Sequence, residues 1–382
     1  MNNYIFFQCA DGDPRYVLGI FKFFPNEWEV TTDFNTALYF PKLVVIQLRA
    51  LGERTEAVWL YKQRTAHHLR TKIIVDGALE GFCYDSTPAG VEQFKLLFDG
   101  VDHENDMMFI HNTFDNIQTP IGKNFHVDFH AVDAYTKCIL QEYRIDNTPV
   151  VLRPPSINLL IGKLKTKYSR FLAAYYFYKH ELLDTAVLGI NAFPEDIKTM
   201  MEQHPLYNDN AFYDKIISCL GPADDVLIHV TDEGVTANCG GWPFDPTIFS
   251  RSGVSYVCET YDIDKGTHNK LVTEKFYRAV INHHPFIIQA CPGQLDTIHS
   301  LGYESFSSII TEDYNNYSEL DYSHVEKSVL AAKELLSKIP YHSPRVQEIV
   351  DYNFNHLLTT AAAEHAALLK AINEFLIMDI TR

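Results

Sequence analysis

Three groups of residues in this chain have the types and spacing to bind and process a charged, hydroxyl-bearing ligand. The first is Cys258-Glu259-Thr260, which closes an apolar run, followed by Thr273-Glu274-Lys275 at the head of the next helical pattern. An ionised carboxylate at Glu259 or Glu274 is a strong acceptor for sugar or ribose hydroxyls. Thr273 suits a helix cap, and Lys275, with Arg278 one turn later on the same face, offers cations to a phosphate. The same tripeptide is also what an ordinary capping box with a surface lysine looks like.

The second group is a basic island. From Asn147 to His180 the chain has no Asp or Glu but carries Arg153, Lys163, Lys165, Lys167, Arg170 and Lys179. Arg170 falls in the first turn of an expected helix, where free N–H groups and the helix dipole favour an anion. A solvated face of snorkelling lysines is the plainer reading of such a window. The third group is a candidate general base. Asp76 follows Ile73-Ile74-Val75 and precedes Gly77, a strand-end position, and His111 and Asp115 are its rivals. Each of these three also fits a turn-forming or hydrogen-bonded residue.

These residues need strands to end beside them and helices to begin there. Leu43 to Leu51, Lys72 to Gly81, Met107 to Phe114 and Phe125 to Tyr135 read as strands, with a helix over Gly90 to Phe98. Strand and helix alternate, which predicts an α/β layer structure with a largely parallel sheet. Pro154-Pro155, closing the segment from Thr148, marks a boundary. A helix is expected over Ser169 to Leu188 with Ser169 as its cap, and a helical connection over residues 193 to 223. From Asp224 the α/β rhythm returns: strands at DDVLIHVTDEG, GVSYVCETYD and PFIIQAC, and helices over Thr273 to His284 and QLDTIHSLGY. Beyond Tyr322 the pattern is helical, with a long Ala/Leu-rich stretch from Ser343-Pro344 to Ile377. The expected division is residues 1–150, 151–340 and a helical segment 341–382 packing back across the first two.

Composition bounds the partners. The chain has 382 residues, 32 Lys+Arg against 49 Asp+Glu, and a net charge of −17. That balance argues against a broad basic surface for nucleic acid or anionic membrane. No apolar run approaches the ~18 residues of a membrane span, and the start MNNYIFFQCADGD is not patterned as a signal peptide. Seven scattered cysteines, never spaced C-x-x-C, fit reduced thiols in a cytoplasmic protein rather than a disulfide or zinc framework. The adjacent pairs His67-His68 and His283-His284, without H-E-x-x-H, give no metal-ligand spacing.

The passage from Val254 to Phe306 resembles the donor-binding half of GT-B glycosyltransferases, in particular fucosyltransferase-type enzymes and a group of phage-encoded glycosyltransferase-like proteins. The residues that carry the resemblance are Glu259-Thr260, Thr273-Glu274-Lys275-Phe276-Tyr277-Arg278-Ala279-Val280, His284-Pro285-Phe286-Ile287, Pro292-Gly293-Gln294-Leu295 and Leu301-Gly302-Tyr303-Glu304-Ser305-Phe306. The basic island fits the same group through Leu159 to Lys165, Tyr168-Ser169-Arg170-Phe171 and Leu182-Leu183-Asp184, although the usual Arg-x-His-Arg cluster is here Lys167-Tyr168-Ser169-Arg170. The resemblance covers residues 150 to 310. It implies two Rossmann-like domains facing a cleft, with C-terminal helices, and a nucleotide-sugar donor held by Lys163, Arg170, Lys275 and Arg278. Glu259 and Glu274 would position hydroxyls, Thr273 is counted with the donor-binding residues, and Glu259 and Asp76 are the catalytic candidates. The cations would offset charge on the leaving diphosphate, so no metal cofactor is expected. The acceptor could be a modified DNA base, a glycan or a protein. The basic segment His67-His68-Leu69-Arg70-Thr71-Lys72, with Lys62 and Arg64, is the candidate contact for DNA. A non-catalytic nucleotide- or glycan-binding protein and a sugar-nucleotide epimerase are the alternatives.

Overall fold

The computed structural model describes residues 5–8, 29–31, 38–39, 42–48, 55–76, 88–112, 119, 121–139, 145–163, 168–191, 194–204, 208–220, 247–259, 272–315 and 322–377. They form two compact units, Met1–Thr136 with Thr360–Arg382, and Lys137–Thr359. The sequence reading put its boundaries after 150 and 340 instead.

Among the described residues the first unit holds six parallel strands: β1 (Ile5–Gln8), β2 (Glu29–Thr31), β3 (Lys42–Leu48), β4 (Arg70–Asp76), β5 (Met107–Asn112) and β6 (Lys123–Val127), in the order β2-β1-β3-β4-β5-β6. Helices α1 (Thr55–Ala66), α2 (Pro88–Leu97) and the short α3 (His103–Asp106) cross over between successive strands, as parallel pairing demands. Ile73, Ile74, Val75, Phe109 and Ile110 are all buried, the continuous apolar run of strands covered on both faces.

The expected strand over Phe125 to Tyr135 is corrected: β6 ends at Val127, and α4 (Phe129–Ile139) begins two residues later. Asp128 makes the break, because its Oδ1 accepts from Ala131 N at 3.1 Å as a helix cap does.

The second unit holds β7 (Ile157–Lys163), β8 (Val187–Asn191), β9 (Val254–Cys258) and β10 (Phe286–Gln289), all parallel, in the order β10-β9-β7-β8. Its helices are α5 (Tyr168–Lys179), α6 (Pro194–Gln203), α7 (Asn210–Leu220), α8 (Thr247–Ser250), α9 (Glu274–Ile281) and α10 (Gln294–Ser300). In both sheets the second strand pairs on one side of the first and the third on the other. This is the doubly wound pattern, with its switch point between β1 and β3 and again between β7 and β9. The two faces of the second sheet have different covers. Tyr256 of β9 meets Phe177 of α5 at 5.2 Å and bonds Ser328, while Phe286, on the opposite face, meets Phe276 of α9 at 5.1 Å.

The helix expected over Ser169 to Leu188 is shorter: α5 runs Tyr168–Lys179, and Val187 already belongs to β8. Glu181 turns left-handed (φ 59°), with Leu182 N bonded to Phe177 O at 2.8 Å and Glu181 N to Tyr178 O at 3.0 Å. That is a Schellman stop. The same pair of bonds ends α1 at His68 (φ 57°), α9 at His283 (φ 48°) and α10 at Gly302 (φ 90°).

Helix α11 (Ser323–Ile377) contains Pro340 and Pro344 and a non-helical residue, His342 (φ −120°, ψ 17°), so it is two helices joined at a kink. The division between the two units falls within it. Among the described residues no helix is long and apolar enough to cross a membrane. The strand expected at DDVLIHVTDEG lies outside the described residues.

Candidate functional site

In a doubly wound sheet the ligand edge is the carboxyl end of the strands at the switch point. In the second unit that edge is formed by the ends of β7 and β9 and the starts of α5 and α9. Lys163 is the last residue of β7, beyond an irregularity in its pairing with β8 between Leu159 and Gly162. Glu259 follows β9 and is almost fully buried. Arg170 sits in the first turn of α5, and its Nη2 donates to Glu259 O at 3.0 Å.

Thr273 caps α9 and is itself held by Glu259. Thr273 N donates to Glu259 Oε1 at 3.2 Å, and Thr273 Oγ1 donates to Glu259 Oε2. Lys275 Nζ reaches Thr273 Oγ1 at 3.2 Å and Glu274 Oε1 at 3.3 Å. The structure therefore brings Arg170, Glu259, Thr273, Glu274 and Lys275 into one connected set. As placed, the Glu259 carboxylate fastens the start of α9 to the end of β9. Arg278, one turn beyond Lys275, is also buried.

The electrostatics of this edge are unusual. A helix start carries the positive end of the dipole and ordinarily favours acidic residues. The first turn of α5 has no acidic residue and holds a buried Arg170, and the first turn of α9 holds a buried Lys275 beside Glu274. Placing cations where the dipole is already positive disfavours the fold but suits an anion. Arg170 and Lys275 bring two cations to this edge beside the carboxylates of Glu259 and Glu274.

Two features of this edge were missed by the sequence reading. Tyr168, the first residue of α5, stacks on His204 with centroids 3.7 Å apart, and Tyr322 meets it edge-on at 4.8 Å. Gln289, the last residue of β10, is 2% exposed, and among the described residues its Nε2 has no hydrogen-bond partner. A glutamine closing an apolar strand was the only signal in the sequence for the latter.

The remaining candidates lie elsewhere. Asp76 is the last residue of β4, at the carboxyl edge of the first unit's sheet, and His111 is in β5 paired with His126. Asp115, Lys165 and Lys167 are outside the described residues. Arg153 is a structural member of the basic island. It bonds Asp146 Oδ2 at 3.1 Å, Phe249 O at 2.8 Å and Asn282 O at 2.9 Å. His284 of the H-P-F-I block is at the opposite, amino edge of the sheet. It bonds Ser255 Oγ at 2.9 Å and Ser252 O at 2.9 Å, and burial pushes its pKa from 6.5 down to about 3.

The basic segment offered for DNA is partly interior. Arg64 bonds Thr71 Oγ1, Leu38 O and Arg70 O, and burial lowers its pKa to about 10. Lys72 is buried against Asn105 O, Asp106 and the Phe375 ring. His67, His68 and Arg70 are exposed, and Lys62 faces Asp99 at 3.6 Å.

Among the described residues no group of three or more His, Cys, Asp or Glu is placed to hold a metal ion. Asp262-Ile263-Asp264, two carboxylates one residue apart just beyond Glu259, lie outside the described residues. No family model matches the chain, and no curated protein matches it.

Proposed function

We propose that this protein is a glycosyltransferase that binds a nucleotide-sugar donor at the carboxyl edge of the second unit's sheet. The reading rests on one observation: two buried cations, Arg170 and Lys275, stand in the first turns of two helices that meet at Glu259, beside the switch point. Two helix starts and two buried cations suit two linked phosphates. Arg170 has the planar fork that matches phosphate oxygens, and Lys275 adds a point charge.

In this reading the donor diphosphate lies across the ends of β7 and β9. Lys163, Arg170, Lys275 and Arg278 stabilise the negative charge that grows on the leaving group. Glu274, which pairs with Lys275, is the carboxylate assigned to sugar or ribose hydroxyls, whereas Glu259 holds the helix start in place. Asp76, the candidate base, ends β4 of the first unit's sheet. The burial of Arg64 and Lys72 removes two of the cations on which the DNA acceptor rested, which leaves glycan and protein acceptors the better supported.

A second reading, a nucleotide-binding protein without turnover, is favoured by the complete engagement of Glu259 with Thr273. A thermal-shift series against nucleoside diphosphates and nucleotide-sugars tests the site, because a ligand that binds the native state alone raises the melting point. Lys275→Ala and Glu274→Ala are expected to lose that shift while keeping the fold. Unchanged nucleotide affinity in both variants overturns the site. Release of nucleoside diphosphate from a nucleotide-sugar then separates the enzyme from the binding protein.

A further inference from the structure

Gln289 has no role in the fold that its hydrogen bonds explain. It ends β10 and is 2% exposed, and among the described residues its Nε2 has no hydrogen-bond partner. Its carbonyl is used: Gln289 O accepts from Glu259 N at 3.0 Å, so the residue lies directly beside the Glu259 clasp. A buried amide N–H without an acceptor costs free energy that an apolar side chain of the same shape would not. At a ligand edge, such a group is a donor that none of the described residues satisfies.

The pleat says which way the side chain leaves the sheet. Gln289 pairs with Cys258 and Ile287 with Tyr256, so Gln289 shares a face with Tyr256. Tyr256 is covered by Phe177 of α5. Arg170 belongs to the same helix and reaches Glu259 O. The amide of Gln289 and the guanidinium of Arg170 thus stand on one side of the sheet, at one edge, with Glu259 beside both.

We infer that Gln289 is a specificity-determining residue of the proposed donor site, giving a neutral N–H donor to an uncharged oxygen of the ligand. The inference rests on the donor-site reading above. A neutral amide suits a carbonyl or hydroxyl oxygen, because the cations already present serve the charged oxygens better. The shared chemistry has two sources, a nucleobase carbonyl or a hydroxyl of the transferred sugar. β10 lies beyond β9 from the switch point, so the ligand would extend from the phosphates across the end of β9 to reach it.

The test is titration of the full chain with nucleoside diphosphates and with the corresponding nucleotide-sugars. It compares the native protein with Gln289→Met, which keeps the shape but removes the donor, and with Gln289→Glu, which replaces the donor by an acceptor. Gln289→Met is expected to bind about tenfold more weakly, as loss of one such hydrogen bond predicts, while the unliganded protein melts no lower than the native one. Gln289→Glu is expected to weaken binding at least as much. Weakening of both ligand classes assigns the amide to the nucleobase, and weakening of the nucleotide-sugar alone assigns it to the sugar. Native affinity in both variants overturns the inference and leaves the donor site standing, provided the native protein binds and Lys275→Ala does not. If the native protein binds no nucleotide at all, both fall together.

Discussion

Replacing Glu259 by Ala removes the only two acceptors that Thr273 N and Thr273 Oγ1 have in the hydrogen bonds described above. Both donors sit in a site with Thr273 and Glu259 each about 2% exposed, so water cannot readily take the carboxylate's place. Each hydrogen bond to a buried charged group is worth about 1.5–3 kcal/mol, so the pair comes to about 4 kcal/mol. Lys275 and Arg170 also lose a neighbouring negative charge, which adds to the cost rather than offsetting it. For a unit of the size of Lys137–Thr359, about 4 kcal/mol corresponds to a fall in Tm of roughly 8–16 °C. Glu259→Gln keeps one acceptor oxygen and should cost about half as much. Urea unfolding followed by circular dichroism measures both. A double-mutant cycle with Thr273→Val isolates the clasp, with a coupling energy of about 2 kcal/mol expected. A loss below about 0.5 kcal/mol for Glu259→Ala, the range of an ordinary surface change, would refute the reasoning, as would additivity of the two substitutions.

Two further outcomes follow from the amino edge of the same sheet and from its last helix. His284 is neutral and buried in the fold, with its pKa lowered from 6.5 to about 3. The unfolded chain binds a proton there between those values and the folded one does not, so stability falls as pH drops below 6.5. The loss is about 1.4 kcal/mol by pH 5.5. His284→Gln should flatten that part of the stability-against-pH curve, and a curve of unchanged slope would count against the assignment. Gly302 has φ 90°, and a Cβ there would stand 2.6 Å from the His356 ring, which is itself tied to Leu301 O at 2.7 Å. Gly302→Ala therefore combines a left-handed penalty with overpacking, about 3 kcal/mol in all, read as a drop in the urea midpoint.

The alternation of apolar runs and helical patterns was enough to show a parallel α/β architecture, because buried parallel strands such as Ile73-Ile74-Val75 and Phe286-Ile287-Ile288 read as unbroken apolar segments. The start of α9 was equally plain, since Thr273 caps it as its sequence suggests. The stop of α5 was hidden for a physical reason. Its left-handed position holds Glu181 instead of glycine, so the turn is closed by local backbone bonds that the residue type does not announce. At the site, the cations and carboxylates could be found by type, but their connections could not. That Glu259 grips Thr273, and that Arg153 and Lys72 are interior staples, depends on which strands adjoin. That information lies in the pairing rather than in the sequence of any one segment.

The left-handed turn at His283 also has a mechanical meaning. Only Asn282 to Pro285 separate α9 from β10, and His283 N and His284 N both bond back into the last turn of the helix. Asn282 adds a third tie through its side chain to Arg278 O at 2.8 Å. Helix and strand are thereby joined as a rigid bracket. One arm carries Lys275 at its tip and the other carries Gln289, and the bend lies at the far edge of the sheet. A molecule held by both tips would load the two arms together, and any strain would be carried to the corner that His284 braces.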